Sequence, residues 1–281
     1  MRNDRTRRRN GRLPLAATAL AAALLGSTAG ADGEGGSNER VGRGVCAGVP
    51  EHAALLHALR TANDKVTADN PGLPLDNEMW GALVAADGTV CAVADSGEDN
   101  LQSQWLASRV IAMQKANTAN SLSLGKGGGG TNAGLALSSA NLWAAVQPGG
   151  SLYGLQFSNP VEAYTAYRGR AGAYGTSRDP AVGHRTGGIN VFGGGLALYG
   201  QAGDRVGGVG VSGDTSCRDH LVAWELRHEL GLDHVAAGVS GDPLRPDNII
   251  FDVGNGFGHP TCLAPDLEKE AAGRLTPVPA P

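Results

Sequence analysis

The chain has little to build a large flat pocket from. Its 281 residues include only four Phe, five Tyr, four Trp and three Met. A core this poor in rings must be filled by Ala, Val and Leu. No C-x-x-C pair occurs, which excludes a thioredoxin-type centre and a zinc ribbon. H-E-x-x-H is absent as well: His228-Glu229-Leu230-Gly231-Leu232 carries Leu where a second zinc ligand must stand, four residues on. No G-K-[ST] follows the glycine run at 127–130, so it is not a phosphate loop. Ser212 is no nucleophile elbow, because position 214 is Asp. The 44 glycines follow no Gly-X-Y period, which excludes collagen.

The N-terminus is organised differently from the rest. Six arginines within residues 1–12 face a single acid, Asp4, and a small-residue apolar run, Leu13 to Leu25, follows. Ala29-Gly30-Ala31 then supplies an A-x-A site, so residues 1–31 read as a signal peptide and predict a periplasmic or secreted protein. The apolar run is too short to span a bilayer and no later run is longer, so no membrane insertion is expected. Removing the segment leaves 17 Lys+Arg (23 − 6) and 26 Asp+Glu (27 − 1), a net charge of about −9, which argues against nucleic acid as a partner. Residues 32–45 form a polar leader, expected to be disordered. Four cysteines in an exported chain predict two disulfides, with three possible connectivities.

One domain is expected over 46–268. Leu55, Leu59, Ala62 and Val66 make a helical stripe within 50–69, stopped by Asn70-Pro71-Gly72. Two apolar runs around Asp87-Gly88 predict a hairpin over 80–94. A second helix is expected over 102–121, followed by an irregular insertion at about 125–190. A second hairpin joins 191–199 to 205–212 through the turn at 200–204. Gly213 ends it, and Thr215 or Ser216 caps a last helix with Asp219 in its first turn. An irregular cysteine-bearing tail covers 231–263, and 269–281 is expected to be disordered. Direct strand-to-strand links imply antiparallel pairing, hence an α+β layered domain.

An antiparallel first helix and first strand would bring the region of Cys46 towards the Asp87-Gly88 turn, near Cys91. Cys46–Cys91 with Cys217–Cys262 is therefore favoured, while Cys46–Cys262 with Cys91–Cys217 stays open as the rival.

Three segments carry a family resemblance. Ser108 to Ala119 (SRVIAMQKANTA) resembles the S-x-x-I-A-x-x-K-A-x-T-A helix of the GlcG/HbpS-type haem-binding family, which includes the C-terminal domain of PduO-type proteins. Residues 192–214 (FGGGLALYGQAGDRVGGVGVSGD) resemble its Gly-Gly hairpin signature, and the Asp87-Gly88 hairpin also matches. Asp219 falls where the family has a helix aspartate. Gly193 and Ala197 replace the family's prolines, and the insertion and the tail are departures too. The resemblance implies a profilin-like, three-layer domain with a five-stranded antiparallel sheet. It further implies haem or a related tetrapyrrole as ligand, self-association into a homo-oligomer, and a site including Lys115, Thr118, Gly194 and Gly195.

Two histidines are candidate iron ligands. His220 lies in the first turn of the last helix, where the helix dipole disfavours the imidazolium and leaves a neutral ring. His184, beside Arg185 in a loop, can meet an iron and a propionate. The bland alternatives are a helix-end histidine and a surface-loop histidine. For Lys115 and Thr118 they are a helix salt bridge and a backbone-satisfied hydroxyl. Gly208 to Gly213 spells G-x-G-x-x-G with Asp233 twenty residues on, the lettering of a dinucleotide site. Without a following strand, those glycines read better as close-packing positions.

The expectation is an exported, disulfide-stabilised haem- or tetrapyrrole-binding protein without turnover. The rivals are a periplasmic oxidoreductase, or accessory subunit, using 207–213, and a ligand-free oligomeric structural protein.

Overall fold

The computed structural model describes residues 44–279. The expected signal peptide over 1–31 and nearly all of the expected 32–45 leader lie outside the described residues. Helix α1 (His52–Asp69) buries Leu55, Leu59, Ala62 and Val66. It stops where Asn70 turns both its backbone N–H (3.1 Å) and its side-chain amide (2.9 Å) onto the carbonyl of Val66. Strands β1 (Trp80–Ala85) and β2 (Val90–Asp95) form the first hairpin. Its turn needs a left-handed residue, which Gly88 supplies at φ +84°, while Asp87 Oδ1 accepts the N–H of Thr89 at 3.0 Å. Helix α2 (Leu106–Leu122), strands β3 (Gly195–Tyr199) and β4 (Arg205–Ser212), helix α3 (Ser216–Glu229) and helix α4 (Pro265–Arg274) complete the main elements.

The strands run β2-β1-β4-β3, antiparallel throughout, with Trp80 opposite Ser212 and Ala85 opposite Gly207 across the central pair. Side chains alternate between two cores. Leu83, Val209 and Val211 pack with Leu55 and Leu59 of α1 and Leu221 and Trp224 of α3. On the opposite face Ala82, Val84 and Val93 pack with Val110, Met113 and Ala116 of α2. The result is helix, sheet, helices: three layers.

Among the described residues the sheet has four strands, which corrects the expected five. Irregular chain occupies both edges instead. Gly183 donates to the carbonyl of Val90 (2.9 Å) and Val90 to that of His184 (2.8 Å) along β2. Tyr199 on β3 donates to the carbonyl of Leu232 at 2.8 Å. The edge groups are thereby satisfied by the insertion and the tail without a further strand.

The glycines of β4 serve packing. A Cβ on Gly210 would lie 1.9 Å from the Ala112 carbonyl oxygen, and one on Gly208 2.3 Å from that of Ala116. The backbone of α2 rests directly on that of β4, leaving no room for a phosphate. The dinucleotide reading of 207–213 is corrected on this ground. The helix these glycines admit is α2 on the far face, not the helix that follows them.

The insertion folds into short turns, including single-turn helices at Leu155–Ser158 and Ala163–Ala166. The tail is ordered further than expected. Pro265 opens α4, with Asp266 and Glu268 in its first turn. Leu275 and Val278 are buried beyond it. Thr276 donates to the Glu225 carboxylate (2.9 and 2.8 Å) and accepts from Trp224 Nε1 at its carbonyl (2.8 Å). The expected disorder over 269–281 is corrected as far as residue 279: the late prolines extend a chain that is pinned by these contacts. The cysteines pair as Cys46–Cys91 and Cys217–Cys262, with Cα separations of 5.7 and 6.1 Å. Among the described residues no helix is long and apolar enough to cross a membrane.

Candidate functional site

Two places gather chemistry. The first lies where α2, the start of β3 and the start of α3 meet. Gly213 breaks β4, and the Thr215 hydroxyl caps α3 by accepting the N–H of Arg218 at 3.2 Å. Asp219, one turn in, reaches back so that Oδ1 accepts the N–H groups of Gly213 (3.0 Å) and Asp214 (2.9 Å). Its other oxygen takes Lys115 Nζ from α2 at 2.7 Å, and Nζ also donates to the Val211 carbonyl at 3.1 Å. Both side chains are buried. Burial pushes Asp219 up to about 6 and Lys115 below the usual lysine range, each partner's charge opposing the shift. Gly194, at φ +114°, passes so close that a Cβ would sit 3.0 Å from Lys115 Nζ; one on Gly195 would sit 2.4 Å from the Lys115 carbonyl. Thr118, one turn along α2, donates to Gln114 O (2.7 Å) and accepts the N–H of Asn190 (2.9 Å). Four of the expected site residues therefore clamp the chain that enters β3.

The second place is an open cavity of about 650 Å³ in the insertion, lined by Ala163, Tyr164, Tyr167, Arg168, Gly169, Pro180 and His184. Its two walls are 162–169 and 179–184. Buried Arg109 of α2 joins them: Nη1 donates to the Ala166 carbonyl (2.6 Å), Nε donates to Asp179 Oδ2 (2.8 Å), and Nη2 completes a fork on Asp179. Asp179 in turn accepts the N–H groups of Gly175 and Ala181 (2.8 and 2.9 Å). Gly169, at φ +74°, lets the first wall press on Pro180, where a Cβ would meet Cγ at 2.5 Å. His184 is fixed by its backbone to the edge of β2, and its ring faces Arg168, whose Nη1 lies 2.9 Å from Nδ1 and 2.6 Å from Nε2. Burial, then the Arg168 charge, lowers the pKa of His184 and favours the neutral ring.

A family described as haem degrading protein, HbpS-like, matches residues 82–226, from β1 into α3 and across both places. The chain belongs to the HbpS-like family. Among solved structures, a Klebsiella pneumoniae protein, ORFY, is 23% identical over 64% of this chain and 90% of its own, with a TM-score of 0.40. A PduOC:haem complex is 22% identical over 62% and 91%, with a TM-score of 0.39. No curated protein matches.

In this HbpS-like chain the two candidate histidines stand apart in the fold. His220 has no exposed surface; it packs beside Trp224 with ring centroids 6.2 Å apart, under the tail at Asn248 and Ile249. Its Nε2 accepts the N–H of Ile249 at 3.1 Å, and among the described residues Nδ1 has no partner. Burial lowers its pKa to about 3, so the neutral ring expected from the helix dipole is here chiefly a matter of desolvation. His184 lies half-buried at an open cavity instead.

Arg185, expected beside the ligand, pairs with Asp87. The cation at His184 is Arg168, sixteen positions away, which spacing along the chain did not indicate. His259 of the tail also reaches the chain that enters β3. It is buried, and its Nε2 accepts the N–H of Gly193 at 3.4 Å while Nδ1 donates to the Pro260 carbonyl at 2.6 Å. Cys217, Cys262 and Glu268 also converge, but the two sulfurs are bonded to each other, which removes them as metal ligands.

Proposed function

We propose that this HbpS-like protein is exported, disulfide-stabilised and binds haem or a related tetrapyrrole, holding it in the Ala163–His184 cavity without turning it over. The observation that carries this reading is the cavity: a neutral imidazole stands beside two tyrosine rings in a space of about 650 Å³. That volume lies in the range of small-molecule sites, roughly 300–1,000 Å³. The donor set fits the family's group, since neutral imidazole ligates iron and tyrosine faces cover a planar ring. Haem would supply a redox-active iron there; His184 would hold the metal, and Tyr164 and Tyr167 the macrocycle. His184 is assigned over His220 because His220 is sealed in the interior. Lys115, Thr118, Gly194 and Gly195 are assigned to the framework behind the cavity.

Holding without turnover is supported by the sequence, in which the motifs occur without a complete catalytic constellation. Export is supported by the N-terminal pattern and the two disulfides. Self-association follows the family resemblance and is read by light scattering.

Titrating the mature protein with haemin is expected to shift the Soret band, and His184→Ala to change that spectrum while His220→Ala leaves it. A colourless protein of high mass, indifferent to haemin, would instead favour a structural oligomer. Soret loss with release of an open-chain tetrapyrrole under reductant and air would replace holding with degradation.

A further inference from the structure

We infer that the rim of the insertion is a docking surface for an anionic lipid bilayer, on which the protein rests by three arginines and a group of exposed rings. The inference goes beyond the tetrapyrrole reading and uses none of it.

Charge is divided unevenly along the chain. Residues 125–190 hold five cations, Lys126, Arg168, Arg170, Arg178 and Arg185, against two acids, Glu162 and Asp179. The rest of 44–279 holds 10 Lys+Arg against 21 Asp+Glu, a net −11. Lys126 faces Asp204, Arg185 faces Asp87, and Asp179 is paired with buried Arg109. Among the described residues no carboxylate forms an ion pair with Arg168, Arg170 or Arg178. All three stand within two positions of the contact between Gly169 and Pro180, so the two walls bring them to one rim.

The rings gather at the same place. Of five tyrosines and four phenylalanines, Tyr153, Phe157, Tyr164 and Tyr167 lie exposed within one short span, Phe157 at 80% and Tyr164 at 82%. Tyr164 and Tyr167 line the cavity with Arg168. The stretch that joins Phe157 to them runs beside 186–189, with the N–H of Ile189 donating to the Asn159 carbonyl at 3.1 Å and that of Glu162 to the Thr186 carbonyl at 2.8 Å. Exposed Val182 stands on the opposite wall. A core filled by Ala, Val and Leu had use for these rings, yet they are left on the surface, the mark of a patch that meets a partner.

Charge decides the partner. Face to face, two copies of this rim would set six unpaired arginines against each other, so the patch is not self-complementary. An anionic bilayer supplies mobile phosphates for the arginines and an interfacial layer for Tyr and Phe, without demanding a fixed spacing. The acidic remainder does not forbid the approach. Charge is screened beyond about 8 Å at physiological ionic strength, whereas a domain of this size has a radius of gyration of about 17 Å. The contact is adsorption, since among the described residues no helix is long and apolar enough to cross a membrane.

The test co-sediments the mature protein with vesicles of phosphatidylcholine alone and with added phosphatidylglycerol, at low and high salt. Wild type should pellet with the anionic vesicles, come off with salt and stay in solution with the neutral ones. Arg170→Gln/Arg178→Gln should weaken binding by roughly thirtyfold, the usual surface attraction of two arginines. Phe157→Ser should weaken it by about tenfold, the scale of partly burying one ring. Lys269→Gln, on α4, should change it less than about twofold. All four side chains are exposed, so the variants should melt with wild type. Failure of wild type to bind anionic vesicles, equal binding to both kinds, or undiminished binding by the arginine variant overturns the inference. So does a fall in mass by light scattering for Phe157→Ser without vesicle binding, which would give the patch to another face of a second copy. None of these outcomes touches the tetrapyrrole reading, and a missing Soret shift does not touch this one.

Discussion

Replacing Gly210 by Ala tests whether the α2–β4 interface depends on missing side chains. A methyl there would sit 1.9 Å from the Ala112 carbonyl oxygen and 2.6 Å from the Ala116 nitrogen. Ordinary contact begins near 3.4 Å, so the helix would have to retreat by about 1.5 Å. It is poorly placed to do so, because Lys115 ties it to Asp219 on one side and Arg109 ties it to Asp179 on the other. Overpacking costs about 1–3 kcal/mol in general, and the obstacle here is helix backbone, so the upper end applies. The reduced entropy of the unfolded chain returns about 0.4–1 kcal/mol. A net loss of about 2–2.5 kcal/mol should lower Tm by roughly 4–10 °C for a domain of this size. Gly200→Ala is the control, since its nearest neighbour would be Val206 Cγ1 at 3.8 Å; it should stay within about 0.5 kcal/mol of wild type. Urea melts followed by far-UV circular dichroism compare the two. If Gly210→Ala melts with Gly200→Ala at an unchanged m-value, the close approach has no energetic weight and the reasoning fails.

Two further outcomes follow from the interior. His220 and His259 are lowered to about 3 and about 4, mainly by burial. Below pH 6.5 the unfolded chain binds protons that the native state refuses, so their stabilisation is whole above 6.5 and falls as pH drops towards 4. The slope is on the order of 1.4 kcal/mol per pH unit per histidine. Urea midpoints between pH 7 and 5 should show it, offset in part below pH 6 by the raised Asp219, and His259→Gln should remove one histidine's share of the slope; an unaltered slope would count against the assignment. Each disulfide spans 45 positions and should contribute about 4 kcal/mol by the chain-entropy model. The Cys217→Ser/Cys262→Ser pair should lose that much in denaturant melts, and unreduced peptide mapping that links Cys46 to Cys262 would refute the pairing.

What could be read in advance was local. Asp87-Gly88 announced its turn because only a left-handed residue closes it, and the Thr215 cap with Asp219 behind it announced α3. The stripe through Leu55 and Val66 did the same for α1. The fourth helix was hidden by composition: the three prolines after Leu275 suggested disorder over 269–281, yet Pro265 followed by Asp266 and Glu268 is a helix start. The sheet edges were not legible, because coil completes them through contacts nearly a hundred positions apart, Val90 with Gly183 and His184. At the site, His184 was visible as a loop histidine. Arg168 was not, because the wall that carries it is brought over by Arg109, a helix residue whose acid partner lies seventy positions on. The letters of G-x-G-x-x-G misled for a physical reason: glycine permits close approach, and sequence does not say whether a phosphate or a helix does the approaching.

The central ladder has a consequence for how this chain folds and varies. β1 and β4 are neighbours in the sheet but lie 122 to 132 positions apart, from Ala85–Gly207 to Trp80–Ser212. One disulfide reaches from ahead of β1 to the start of that gap and the other lies after it, so neither shortens the loop the ladder must close. Halving or doubling such a loop alters its closure entropy by only about 0.6 kcal/mol, although long-range pairing of this kind is slow to form. The sheet therefore works as a clasp on the two ends of the segment between them. A wall of the cavity can be lengthened, shortened or exchanged inside that clasp with little effect on the equilibrium of the frame, because the cavity is built from that exchangeable part.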